Sequence, residues 1–193
     1  MNLSRRSRSL VVVLLGVALA GCSPAPVAAP TPSPTYGCVP EAGGDPVPCG
    51  PIEFEQAQQR DALYSEAEAV YRRYWAEWIR LEQLPDPTLT PELEAVTAGD
   101  FQQRVVRLLA GAQGRPRLSG DPELAWIRRL PGLSRAGSVV ALSSCTDASH
   151  VRFVNPDGEP TPGLTNEHRL YLSRDEGGSL RITDSEFRAV ASC

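Results

Sequence analysis

The sequence predicts an α+β domain, with N-terminal helices packed on a curved antiparallel sheet. Three observations carry this expectation. Apolar and aromatic residues recur at three- and four-residue steps through residues 53–84, the mark of an amphipathic helix. After Pro116 the period falls to two, in runs rich in Val, Ile, Leu and aromatic residues, which reads as strands. The two patterns do not alternate: helices come first and strands follow, the order of α+β and not of a doubly wound parallel sheet.

The chain opens on a different kind of segment. Met1–Ser9 holds Arg5, Arg6 and Arg8 and no acid, and Leu10–Ala20 is uncharged. A helix that spans a bilayer needs about 20 apolar residues, so this shorter run reads as the h-region of a secretory signal peptide covering residues 1–21. Arg5-Arg6 hints at twin-arginine export, although Arg8 stands where that signal prefers an apolar residue. Leu19-Ala20-Gly21-Cys22 resembles the lipobox of bacterial lipoproteins. The resemblance implies diacylglycerol on the Cys22 sulfur, cleavage before Cys22 and acylation of the new terminus, as by palmitate. Two or three acyl chains anchor firmly, so the expected place is the extracytoplasmic face of the cell membrane.

Residues 22–51 are expected to be a Pro-rich tether with a small disulfide loop. Ser23–Pro51 contains nine of the 18 prolines and almost no large apolar residue, and such a segment cannot bury a core. The folded domain is then expected over 52–193, long enough for one real core. Within it, Leu63, Ala67, Val70, Tyr71, Tyr74, Trp75, Trp78 and Ile79 lie along one side of the long helix. Glu66, Glu68, Arg72, Arg73, Glu77 and Arg80 take the other side, and Pro85 ends the run. At this spacing Tyr71, Tyr74, Trp75 and Trp78 read as core, with a ligand-lining role as the alternative. Thr90-Pro91 supplies an N-cap and a proline at the first helical position. Gly99 interrupts that short helix, Asp100 is placed to cap the next, and Phe101, Val105, Leu108 and Leu109 make its apolar face.

Strands are expected over 124–130, 138–145, 150–154, 167–173 and 179–184. Asn155-Pro156-Asp157-Gly158 and Asp175-Glu176-Gly177-Gly178 are the turns between them.

Composition narrows the chemistry. All 19 basic residues are arginine, so Schiff-base lysines, a phosphate-loop lysine and a Ser-x-x-Lys nucleophile are excluded. Without residues 1–21 the chain keeps 16 arginines against 23 acids, a net charge of −7. That balance argues against a nucleic-acid partner, which calls for a basic face. With Cys22 acylated, Cys38, Cys49, Cys145 and Cys193 remain, as suits an oxidising compartment. Four cysteines allow three connectivities, and position favours Cys38–Cys49 and Cys145–Cys193. No Cys-x-x-Cys pair exists, so neither a zinc knuckle nor a thioredoxin-like motif has support, and no metal or cofactor is expected.

A lipobox, a proline tether, a long aromatic helix, two shorter helices and a meander carrying Cys145-Thr146-Asp147 together form a pattern. It resembles actinobacterial lipoproteins with the nuclear-transport-factor-2-like, cystatin-like cone domain. The resemblance covers residues 52–193 in architecture more than in motif. Because that superfamily holds dehydratases, isomerases, binders and purely interacting modules, it implies a pocket and not a reaction.

Two functional readings follow. The first is a non-catalytic, membrane-tethered module that binds a small apolar ligand or an envelope protein. The second is a cone-fold lyase or isomerase using His168 and a carboxylate for proton transfer. Only His150 and His168 are available. His168 shares a strand face with Leu170 and Leu172. A hairpin pairing Arg174 with Gly178 sets Asp184 opposite His168, whereas pairing Asp175 with Ser179 brings Glu186 there. Asp147 is a further candidate carboxylate, though a turn-capping role beside Cys145 explains it more simply.

Overall fold

The computed structural model describes residues 35–112, 116–154 and 158–193. They form an α+β fold in which helices pack against antiparallel sheets. The signal peptide, Cys22 and the Asn155–Gly158 turn lie wholly or partly outside the described residues.

Helix α1 (Pro51–Glu82) runs for 32 residues, about 48 Å at 1.5 Å per residue. Pro51 sits at its first position, where a missing N–H is no loss. The Glu53 carboxylate reaches back to accept from the Gly50 backbone N–H at 2.8 Å. Helix α2 (Pro91–Val96) starts as expected, with Thr90 Oγ1 accepting from the Leu93 N–H. The link to α3 (Gly99–Ala110) touches the sheet: Thr97 is fully buried in a parallel bridge to Ile182, and the Ala98 N–H donates to the Ile182 carbonyl. Gly99 turns the chain at φ +57°, a left-handed conformation that glycine tolerates best. The cap of α3 is therefore Ala98, and Asp100 falls in the first turn instead of capping it. Leu108 also departs from the expected face, standing exposed while Phe101, Val105 and Leu109 are buried.

The principal sheet has four antiparallel strands: β4 (Glu123–Arg129), β5 (Val140–Asp147), β8 (Thr165–Arg174) and β9 (Leu180–Ala189), in that spatial order. A second sheet joins β3 (Arg117–Ser119), β6 (Arg152–Val154) and β7 (Thr161–Pro162). The 150–154 strand thus belongs to this smaller sheet, not to a single continuous meander. Leu142, Leu170, Leu172 and Ile182 face α1, α2 and α3 and are at most 2% exposed. Each such side chain is worth roughly 1.5–3 kcal/mol of burial.

Part of the segment expected to be a tether is folded. Residues 36–49 form a hairpin, β1 (Tyr36–Cys38) with β2 (Val47–Cys49), closed by a Cys38–Cys49 disulfide. It docks on the first turns of α1: the Tyr36 ring stacks on Phe54 at 4.6 Å, Arg60 donates to the Val39 carbonyl, and Tyr64 Oη donates to Glu41 at 2.8 Å. Half the prolines lie in Ser23–Pro51, yet the covalent clip and these contacts give the hairpin an order that its own apolar content would not sustain.

The second disulfide joins Cys145 and Cys193. Cys145 points away from α1, on the opposite face from Ser144. The chain end therefore crosses the outer side of the sheet, where the Trp126 indole donates to the Cys193 carbonyl at 3.2 Å.

Candidate functional site

Strand β8 carries His168 to the inner face, in a cross-strand row with Ile127, Ser144 and Phe187. The hairpin end adopts the second of the two expected settings: the Asp175 N–H donates to the Ser179 carbonyl and Arg174 pairs with Leu180. A bulge then intervenes. Between Tyr171 and Leu172 the partner strand gains one residue, so Leu172 faces Ile182 but Tyr171 faces Asp184. An extra residue flips every later side chain to the other face. Opposite His168 stands neither Asp184 nor Glu186 but Phe187, at 6.1 Å between ring centroids.

The two acids go elsewhere. Asp184 is held by Arg104 of α3 at 3.0 Å and by Arg135 at 3.1 Å, and Glu186 also pairs with Arg135. Asp147 accepts from the Ser149 N–H and from Thr165 Oγ1, both at 2.9 Å, which holds its carboxyl below the usual range. These contacts tie the end of β5 to the following turn and to β8. His150 is exposed and contacts the Asp121 carbonyl.

His168 itself is half-buried, with Nε2 3.2 Å from Thr146 Oγ1. Burial pushes its pKa below the ordinary histidine value, so the neutral imidazole prevails at pH 7. It lines a hollow of about 200 Å³ with Trp75, Trp78, Ile79, Glu82 and Phe153. A neighbouring hollow of about 230 Å³ shares Trp78, Glu82 and Phe153 and adds Leu84, Leu108 and Leu109. The two make one cleft between the C-terminal half of α1, the end of α3 and the small sheet.

The aromatic stripe divides accordingly. Tyr71 is the core member, 1% exposed, its Oη accepting from Ser144 Oγ at 2.8 Å and its pKa pushed up to about 12 by burial. Tyr74, Trp75 and Trp78 are half-buried. Tyr74 stacks between Tyr71 and Trp78, while Trp75 and Trp78 wall the cleft. The helical period shows which residues turn inward. It does not show that Trp75 and Trp78 also border a hollow.

Glu82, the last residue of α1, was not singled out by sequence pattern. It follows Trp78 by four positions and Trp75 by seven, which places it on the same stripe, and that spacing is the signal that marks it. Burial pushes its carboxyl above the usual range, an effect only partly offset by the Trp78 indole N–H. Its contribution to stability is thus present while both folded and unfolded states are protonated, and is lost as pH rises from the ordinary glutamate value through the raised folded one. We expect Glu82→Gln to melt higher than wild type at pH 7, with the difference gone by about pH 4 in parallel scanning calorimetry. A lower melting temperature at pH 7 would reveal a stabilising partner for the carboxylate.

Among the described residues no three His, Cys, Asp or Glu side chains are placed to hold a metal ion, and no helix is long and apolar enough to cross a membrane. No protein-family model matches the chain, and no curated protein matches it.

Proposed function

We propose that this chain is a lipid-anchored protein of the extracytoplasmic membrane face whose cystatin-like cone domain binds a small apolar ligand without transforming it. The observation that carries the reading is the cleft, walled by Trp75, Trp78, Phe153 and Leu108, in which the cross-strand partner of His168 is Phe187 and not an acid. Small-molecule sites are typically apolar hollows with a few polar groups. Bulges in both outer pairings of the four-stranded sheet favour strong curvature, which supports the cone assignment. Two disulfides suit export to an oxidising compartment, as the expected signal and Cys22 require.

The neutral probe N-phenyl-1-naphthylamine tests the cleft. Its fluorescence should rise on mixing with the protein and lose most of that rise in Trp78→Ala and Phe153→Ala. Equal enhancement by all three proteins would place apolar binding elsewhere. The anchor is tested separately: Cys22→Ser should move the protein from the detergent phase to the aqueous phase, and unchanged partitioning would remove Cys22 as the attachment point.

Proton transfer is the second reading, and one observation favours it. His168 and Glu82 line the same hollow, and burial favours the uncharged form of each, an imidazole able to accept a proton and a carboxyl able to donate one. Turnover of any substrate that vanishes in both His168→Gln and Glu82→Gln, while probe binding persists, would replace binding by catalysis.

A further inference from the structure

Among the described residues, Glu82 is the one carboxylate that lines either hollow, and it lines both. Among the described residues no arginine forms a salt bridge with it. Arg80, its neighbour in the last turn of α1, turns away to Glu77 at 2.7 Å. Arg117 lines the outer hollow without pairing with Glu82. The carboxylate also sits at a helix C-terminus, where the free carbonyls carry a partial negative charge that disfavours an anion and attracts a cation. Carboxylate and helix end therefore act together, and the indoles of Trp75 and Trp78 and the Phe153 ring line the walls beside them. Aromatic faces attract ammonium groups, most strongly where water is excluded. His168 is neutral at pH 7, so the inner wall does not repel such a group.

We propose that this cleft takes a cationic amphiphile, an alkyl chain bearing an ammonium group, with Glu82 as counter-ion and Trp75 and Trp78 as walls. The proposal rests on the reading of the cleft as an apolar-ligand site and adds the charge of its occupant. The ammonium lies at the junction of the hollows, beside Glu82 and the end of α1. The chain runs along Leu84, Leu108 and Leu109. A neutral chain gains only the second set of contacts, and an anionic one meets both the carboxylate and the helix end with the wrong sign.

The test compares decyltrimethylammonium with decyl maltoside, both below micelle formation, by titration calorimetry at pH 7. The full chain carries Cys22→Ser so that no acyl group competes for the cleft. Wild type in this background should bind the ammonium at least tenfold more tightly than the maltoside. Glu82→Gln should remove that preference and leave the maltoside affinity within twofold, whereas Glu92→Gln, on the exposed side of α2, should leave the preference intact. A preference that survives Glu82→Gln, or equal affinities in wild type, overturns the counter-ion role while leaving apolar binding in place if Trp78→Ala still abolishes it. If neither probe binds and N-phenyl-1-naphthylamine does not either, the cleft reading fails along with the charge.

Discussion

Cys145→Ala combined with Cys193→Ala is expected to destabilise the domain by about 4 kcal/mol, the value the chain-entropy model gives for a closed loop of this size. The two cysteines are 48 positions apart, so the reduced, unfolded chain gains much freedom that the bridge denies it. For a domain of this length that loss corresponds to a melting temperature lower by on the order of 10 °C. The effect has a local cause too. Cys145 is 1% exposed in the second strand of the sheet, and the chain end beyond Val190 is held there by the disulfide and the Trp126 hydrogen bond. Breaking Cys38–Cys49 instead should cost roughly 3 kcal/mol at most on the same model. That loss would fall on the domain itself, because the hairpin it closes holds Arg60 and Tyr64 of α1. Urea denaturation of both double variants decides the order. A non-reducing peptide map that links Cys49 to Cys193 would overturn the pairing.

The second large effect is expected at Tyr71. Tyr71→Ala should cost about 3–5 kcal/mol, as aromatic-to-alanine changes in a core do, and it leaves the buried Ser144 hydroxyl without its partner. Trp75→Ala and Trp78→Ala remove larger side chains but should cost less, roughly 1–2 kcal/mol each, since both are only partly buried and border the cleft. The measurement is the denaturation midpoint of the three variants side by side. Should either tryptophan variant fall as far as Tyr71→Ala, the cleft would have to be closed in solution.

That contrast shows where sequence pattern stops being informative. The three helices, the four principal strands and both cystine partners are legible in residue periodicity, capping residues and position. The packing side of His168 is legible as well, because alternation along β8 ties it to Leu170 and Leu172. Its cross-strand neighbour is not. Two loop settings each proposed an acid, the hairpin chose one of them, and the bulge beside Tyr171 then cancelled the choice. Nothing in Ile182-Thr183-Asp184 announces an extra residue: Thr183 settles there by hydrogen bonds to Ser173 and the Tyr171 carbonyl that form only once the sheet exists. The docked hairpin escaped for a similar reason. Its composition is that of a linker, and its order depends on a disulfide and on partners in α1. Glu82 is not marked out by pattern, because a charged residue at the end of an amphipathic helix ordinarily faces water.

The bulge makes this sheet a ready frame for new chemistry. Phe187 is 73% exposed although it stands beside a half-buried imidazole. Its replacement by glutamate would therefore set an acid beside His168 at little loss of burial and with no change of backbone. The carboxylate would raise the imidazole's proton affinity from its present depressed value and hold the ring's free edge toward the opening. In a designer's terms, one substitution on an edge strand separates a passive receptacle from a scaffold that carries an oriented base.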